Sequence, residues 1–267
     1  MKIAFVLEYD GSQYQGWQRQ AGAPTVQACL EDALSKVADQ RVRVHCAGRT
    51  DSGVHAYGQV AHIETQAKRK RRSWVFGANA NLPRDISVVW AGEVEDDFHA
   101  RFSAIRRTYR YLIFNRSSRG AIFRNHAAWE CRTLDHSRMQ EGAAHLLGTH
   151  DFSAFRAQSC QAKNPVRTLS QLSVTRFGSF ISILVEANAF LHHMVRNIAG
   201  VLMAIGMGKA PPGWVLEVLL SHDRTLGGVT APPQGLYLMQ VKYPPQYNIL
   251  ETGISTTDLF SITRLDN

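Results

Sequence analysis

The stretch Arg41-Val42-Arg43-Val44-His45-Cys46-Ala47-Gly48-Arg49-Thr50-Asp51-Ser52-Gly53-Val54-His55-Ala56-Tyr57-Gly58-Gln59-Val60-Ala61-His62-Ile63-Glu64-Thr65 decides how this chain is read. Its opening, Arg41 to Cys46, alternates basic and apolar residues, which predicts a strand with one wet face. Its close, Gln59 to Thr65, predicts a second strand. Between them, Ala47 to Ala56 is a loop carrying two glycines and one carboxylate. Functional residues concentrate on loops held by a rigid scaffold. Gly48 and Gly53 allow a close backbone approach or a positive φ. Asp51 can act there as nucleophile, general base or metal ligand. The plainer alternative is an Asx turn, with Asp51 bonding nearby amides and Arg49 as its surface partner.

On the N-terminal side, Lys2 to Tyr9 reads as a strand ended by Asp10-Gly11-Ser12. Thr25 is placed to cap a helix in which Val26, Leu30, Ala33, Leu34 and Val37 recur at helical spacing. On the C-terminal side, the charge run Lys68-Arg69-Lys70-Arg71-Arg72 leads into a helix ending near Asn81, and Ile86 to Glu93 is a strand. Thr108 to Asn115 is a strand and Asp135 to Leu147 a helix. Thr168 to Phe177 and Ser179 to Ala189 form a hairpin turning at Gly178. Helices follow over Met194 to Met207 and Gly213 to Ser221, then a strand over Leu236 to Lys242. Strands and helices mix in each half without regular βαβ alternation, which predicts an α+β fold with helices covering a largely antiparallel sheet. The expected organisation is an N-terminal half (1–105) carrying the Asp51 loop, a C-terminal half (106–245), and an accessory tail (246–267).

Composition narrows the partner. The chain has 267 residues, 45% hydrophobic and 19% charged, which excludes disorder for most of its length. A chain of this length buries roughly 75% of the surface exposed when unfolded, enough for a core without staples. Thirty Lys and Arg against 22 Asp and Glu leave a net charge of +8, which points to an anionic partner, nucleic acid first. The run Ile3-Ala4-Phe5-Val6-Leu7 is too short for a secretory leader, and no stretch reaches membrane-span length. Cys29, Cys46, Cys131 and Cys160 form no C-x-x-C pair, so four thiols in a reducing cytoplasm are expected.

Several catalytic templates are excluded. His62-Ile63-Glu64 matches one half of a zinc deaminase signature, but the P-C-x-x-C half is missing. His45 and Cys46 are neighbours on a predicted strand and face opposite sides. His192-His193 lacks the H-E-x-x-H spacing, so no metal site is expected. The G-x-S-x-G, Walker and G-x-G-x-x-G patterns are absent. Basic residues interleave with aromatics instead: Arg101, Arg106, Arg107 and Arg110 flank Tyr109 and Tyr111. That arrangement suits phosphate contact and base stacking on RNA; the alternative is tyrosines filling a half-buried sheet face beside solvated arginines.

Taken in order along the chain, these segments resemble the TruA-type tRNA pseudouridine synthases. The matching residues are Tyr9-Asp10-Gly11, Tyr14 and Gly16-Trp17-Gln18-Arg19-Gln20, then Thr25-Val26-Gln27 with Leu30-Glu31. The loop Gly48 to Ala56 follows, then Phe98-His99-Ala100-Arg101, Arg107-Thr108-Tyr109-Arg110-Tyr111 and His150-Asp151-Phe152. Last come Phe190-Leu191-His192-His193-Met194-Val195-Arg196-Asn197, Thr230-Ala231-Pro232, Gly235-Leu236 and Tyr243-Pro244. The resemblance runs from about residue 3 to 244; where Ser52 stands, the family commonly has Ala. It implies two α+β halves sharing one continuous, mainly antiparallel sheet with a basic cleft between them. It implies a homodimer that isomerises uridine to pseudouridine at positions 38, 39 and 40 of the tRNA anticodon stem-loop, without metal or organic cofactor. Asp51 is then the reactive carboxylate, at C1′, at C6 or assisting elimination at the sugar. Arg196 is its ion-pair partner, and Tyr109 the residue stacking on the target base and a candidate for moving the C5 proton. Leu236 packs near the ring, and Arg49 occupies the space left by the flipped base. Arg101 and the Lys68 to Arg72 run, Arg69 included, hold phosphates. A pure RNA-binding module is the main alternative, and Asp51 argues against it, because a carboxylate in a basic groove repels phosphate.

Overall fold

The computed structural model of the protein describes residues 1–250. Most of the expected tail lies outside them. Ten strands form one sheet: β1 (Lys2–Tyr9), β2 (His45–Cys46), β3 (His55–Glu64), β4 (Ile86–Val94), β5 (Arg106–Asn115), β6 (Ala128–Glu130), β7 (Gly148–Asp151), β8 (Val166–Phe177), β9 (Phe180–Ala187) and β10 (Leu236–Lys242). Their order is β4-β1-β3-β10-β5-β9-β8-β7, with β2 on β3 and β6 on β5. The pairings are antiparallel except β10 with β3 and β5 with β6. The helices are α1 (Val26–Ala38), α2 (Arg71–Asn81), α3 (His136–Ala144), α4 (Met194–Gly206) and α5 (Trp214–Ser221). The α+β expectation with one continuous, mainly antiparallel sheet therefore holds.

The two halves meet where β10 lies between β3 and β5. Its ladder to β3 is short and parallel, pairing Tyr237 with His55 and Leu238 with Ala56. One contiguous apolar core runs through both halves, from Phe5 and Trp74 to Tyr111, Ile198 and Val215. The chain then crosses back: Tyr243 and Tyr247 both pack on Phe98, with ring centroids 5.2 and 5.1 Å away. Tyr243 Oη donates to the Ala100 carbonyl at 2.6 Å. The first residues beyond 245 are thus fastened to the N-terminal half.

Four local expectations need correction. The strand over Arg41 to Cys46 shrinks to His45–Cys46. Val42 and Val44 are buried as the alternation requires, but their amides donate to Ser35 Oγ and Glu31 Oε1, each at 3.1 Å, instead of to a neighbouring strand. Conversely, β3 begins at His55 instead of Gln59, because its first residues pair with β10. Asp135 is the N-cap of α3 and not part of it; its carboxylate accepts from the Ser137 and Arg138 amides. Thr25 stands at the N-cap of α1 without a side-chain cap bond.

Candidate active site

Asp51 sits in the loop between β2 and β3, and the loop is held from both sides. Tyr9 Oη and Thr50 Oγ1 share a hydrogen bond of 2.8 Å. Gln59 Nε2 donates to the Gly48 carbonyl at 2.7 Å. From the segment after β1, the Trp17 amide donates to Thr50 O at 3.0 Å, and Tyr14 O accepts from the Gly53 amide. Ser52 Oγ also donates to Tyr14 O, at 3.2 Å, and adds to the same seam. Gly53 turns the chain at φ 75°. Gly48 has no such constraint: a Cβ there would meet only Tyr109 Oη, at an ordinary contact distance of 3.6 Å, so the close approach expected at this glycine is not seen.

The carboxylate points at the start of α4. Arg196 Nη1 lies 3.2 Å from Asp51 Oδ2. His193 Nε2 lies 3.2 Å from the same oxygen, and His192 Nε2 3.1 Å from Oδ1. Arg196 is anchored as well: its Nε donates to Ala231 O at 2.8 Å, and its own carbonyl accepts from the Ala231 amide. The His193 imidazole is pushed below its ordinary pKa. Burial is the main cause, with His192, Arg196 and Arg224 adding to it against the pull of Asp51.

Of the described residues, Asp51, His192 and His193 form the group whose potential ligand atoms converge, all within 4.8 Å of one another. Sequence spacing alone misses this convergence, because the ring pair and the carboxylate come from opposite halves. His192 and Arg196 hydrogen-bond the carboxylate, and the Arg196 guanidinium on Oδ2 gives the cluster a resident cation; the His193 ring nitrogen lies beside Oδ2 without hydrogen-bond geometry.

Tyr109 lies on β5, buried, with its ring edge-on to Phe190 at 4.9 Å. Burial raises its phenol pKa, and the Asp51 charge adds to the shift, so the hydroxyl keeps its proton across the neutral range. Leu236, 6% exposed, opens β10 opposite Tyr111. Arg49 is exposed on the Asp51 loop, and Arg101 is exposed with its guanidinium 5.6 Å over the Phe102 ring. Arg69 is not brought to this group: its hydrogen bonds go to the carbonyls of Val37 and Lys68.

The Arg–Tyr reading of β5 is also corrected. Tyr111 is fully buried and donates to Pro232 O. Arg110 is 4% exposed, and Arg106 pairs with Glu186 at 3.0 Å. The Arg107 guanidinium donates to four carbonyls, Ala47, Arg101, Ala104 and Asn188, and so braces the Asp51 loop against β5. Of the four arginines, Arg101 stays available to a ligand. His192 and His193 are the site residues the sequence reading missed; their signal was adjacency to Arg196, not metal-ligand spacing.

A carboxylate ion-paired to arginine beside a buried tyrosine, on a continuous α+β sheet, has the make-up of an enzyme site. A family model described as tRNA pseudouridine synthase matches residues 5–103 and 143–244, and the chain belongs to that family. More particularly, it is 53% identical over 253 residues to the tRNA pseudouridine synthase A of Legionella pneumophila (strain Lens), covering 95% of this chain and 97% of that one. It is 56% identical over 249 residues to the protein of the same name from Nitrosococcus oceani, covering 93% and 96%. It is 54% identical over 248 residues to that of Coxiella burnetii (strain Dugway 5J108-111), covering 93% and 95%.

Proposed function

We propose that this protein isomerises uridine to pseudouridine in the anticodon stem-loop of tRNA, at positions 38, 39 and/or 40, with Asp51 as the reactive group and no cofactor. The observation that carries the reading is the Asp51 carboxylate held by Arg196, His192 and His193 next to Tyr109 in a member of this family. The reaction balances without a co-reactant. The N1–C1′ bond breaks, the uracil turns, C5 bonds to C1′, the C5 proton leaves and N1 gains a proton. A base inside a stem must first be flipped out, at a few kcal/mol of unstacking. Arg49 fills the vacated space, Tyr109 and Leu236 flank the extruded ring, and Arg101 and Arg69 hold phosphates. The halves 1–105 and 106–245 act as one unit across β3 and β10, in a cytoplasmic homodimer.

The test is tritium release from tRNA carrying tritium at C5 of its uridines, in EDTA. Release by the wild type, with loss in Asp51→Asn at nearly unchanged tRNA affinity, is the expected result. Appreciable turnover by Asp51→Asn rejects Asp51 as the reactive group.

A further inference from the structure

Among the described residues, four that are not glycine have positive φ: Asp39, His193, His222 and Asn248. Three of them end a helical segment. Asp39 closes α1, His222 closes α5, and Asn248 closes the short 3-10 turn Pro245–Tyr247. A left-handed residue is an ordinary way to stop a helix. His193 is different, because it begins one. It occupies the N-cap of α4 at φ 63° and ψ 2°, where an extended residue with a capping side chain is the rule. Its side chain makes no cap bond. Neither capping nor termination accounts for this conformation, and a left-handed L-residue costs free energy that its surroundings must offset.

The contacts of the side chain supply the reason. In an extended chain, neighbouring side chains point to opposite sides, so two successive residues do not reach one small group. Here His192 and His193 both do. Their ring centroids are 4.1 Å apart, and their Nε2 atoms lie 3.1 and 3.2 Å from the two oxygens of Asp51. The left-handed turn at His193 folds the pair onto the same carboxylate. Ser159 Oγ, 3.2 Å from His192 Nδ1, holds the outer ring from behind. Arg196, one turn into α4, takes Oδ2 alongside His193. Both carboxylate oxygens are thereby engaged from one backbone segment, and the carboxylate plane is fixed.

We propose that His193 is a positioning residue for pseudouridine formation: its left-handed backbone brings His192 and its own ring onto Asp51 and sets the orientation from which the carboxylate reacts. The proposal rests on Asp51 being the reactive group.

Glycine is the variant that separates function from folding, because it adopts the left-handed region freely while deleting the ring. In the full-length protein, His193→Gly should leave Tm unchanged or raise it. Its single-turnover rate in C5-tritium release should fall about ten- to a hundredfold, the range for a misplaced reacting group. KM for tRNA should stay near the wild-type value. His193→Gln, which returns a polar side chain of similar reach beside Oδ2, should recover part of the rate. A wild-type rate in His193→Gly overturns the proposal. So does a fall in Tm that tracks the fall in rate, or a Gln variant no faster than Gly. Loss of wild-type activity in EDTA, restored by zinc, overturns it as well by making the rings metal ligands. Asp51→Asn in the same assay keeps the two readings apart. Turnover retained there defeats the functional reading itself, whereas turnover lost there and kept in His193→Gly defeats this proposal alone.

Discussion

Gly16→Ala tests how tightly the Asp51 loop is positioned. Gly16 lies in the segment after β1 at φ 85°, and it touches the loop backbone directly. A Cβ added there would lie 2.6 Å from Thr50 O, 3.0 Å from the Asp51 carbonyl carbon and 3.1 Å from the Ser52 nitrogen. A carbon needs about 3.4 Å from a carbonyl oxygen, so the shortfall at Thr50 is about 0.8 Å. Neither side yields easily. The Gly16 carbonyl accepts from the Val26 amide at the start of α1, and the next residue, Trp17, is bonded to Thr50 O. Much of the shift therefore passes into the backbone of Thr50 and Asp51. A misplacement of about 1 Å at a reacting group costs on the order of a hundredfold in rate, so a loss of roughly ten- to a hundredfold is expected. The unfavourable φ adds about 1–3 kcal/mol of destabilisation, or roughly 2–12 °C in Tm for a chain of this size.

Gly22→Ala separates these two effects. Gly22 has φ 73°, close to that of Gly16, but a Cβ there has nothing within 4 Å. Its variant should lose only the part of Tm that the unfavourable φ costs, and keep the wild-type rate. The measurements are Tm by thermal melting, tRNA affinity by filter binding and the single-turnover rate of C5-tritium release. Equal rates in the two variants, at the same fraction folded, would refute the argument that backbone contact with Gly16 sets the position of Asp51.

Two further predictions rest on other contacts. In Arg196→Lys a single ammonium cannot serve both Asp51 and Ala231 O, which Arg196 bridges through Nη1 and Nε. One charge-assisted bond, worth about 1.5–3 kcal/mol, is lost; single-turnover kinetics should show a roughly ten- to hundredfold slower rate, and a wild-type rate would show that the bridge is idle. His62 is 1% exposed between His45 and His99, and burial, with those two rings and Lys2, lowers its pKa to about 3. A depressed histidine stabilises the fold fully above its unfolded pKa of about 6.5, and the contribution is lost as pH falls towards 3, by up to about 1.4 kcal/mol per pH unit. Denaturant midpoints should therefore fall between pH 6.5 and 4.5, before the carboxylates titrate, and fall less in His62→Gln. A flat midpoint across that window would exclude the effect.

The residues that sequence made legible are those whose partners are near in the chain or whose type leaves little choice. Helical spacing located α1 and α4, and short runs between turn residues located β1, β4, β5 and β9, of which β1, β5 and β9 are buried almost throughout. The Asp51 loop alone also suits an Asx turn, and it is the ordered run of matching segments on either side that marks it as a site. The misses share one cause, a partner supplied from far along the chain. Val42 and Val44 alternate as a strand does, but side chains of α1 take their amides. His55 and Ala56 resemble loop residues until β10, about 180 residues later, pairs with them. Arg107 and Tyr111 carry the composition of an RNA-binding strand, yet their polar atoms go to backbone carbonyls. His192 and His193 carry no local mark beyond their closeness to Arg196, because the group they serve lies about 140 residues earlier.

That distance explains the polar bracing along the joint between the halves. Asp51 comes from one half and its three partners from the other, so a small slip between halves appears in full at the carboxylate. The direct ladder there has only two residue pairs, Tyr237 with His55 and Leu238 with Ala56. An apolar core alone tolerates such slips, because dispersion and burial are non-directional, whereas hydrogen bonds weaken steeply with misalignment. The joint is accordingly fixed by directional contacts just behind the Asp51 loop. His55 Nδ1 accepts from the Gly11 amide at 3.0 Å, while its Nε2 lies 2.9 Å from the Asn125 carbonyl, so one ring spans both halves. It stacks between His126 and Tyr237, and His126 Nε2 reaches back to Asp10 Oδ2 at 3.0 Å. Arg107 adds its bond to Ala47 O from β5. Burial keeps His55 below its ordinary pKa and neutral near pH 7. The neutral ring can both accept from Gly11 and donate to Asn125, so its protonation state is part of what holds the two halves, and with them Asp51 and Arg196, in register.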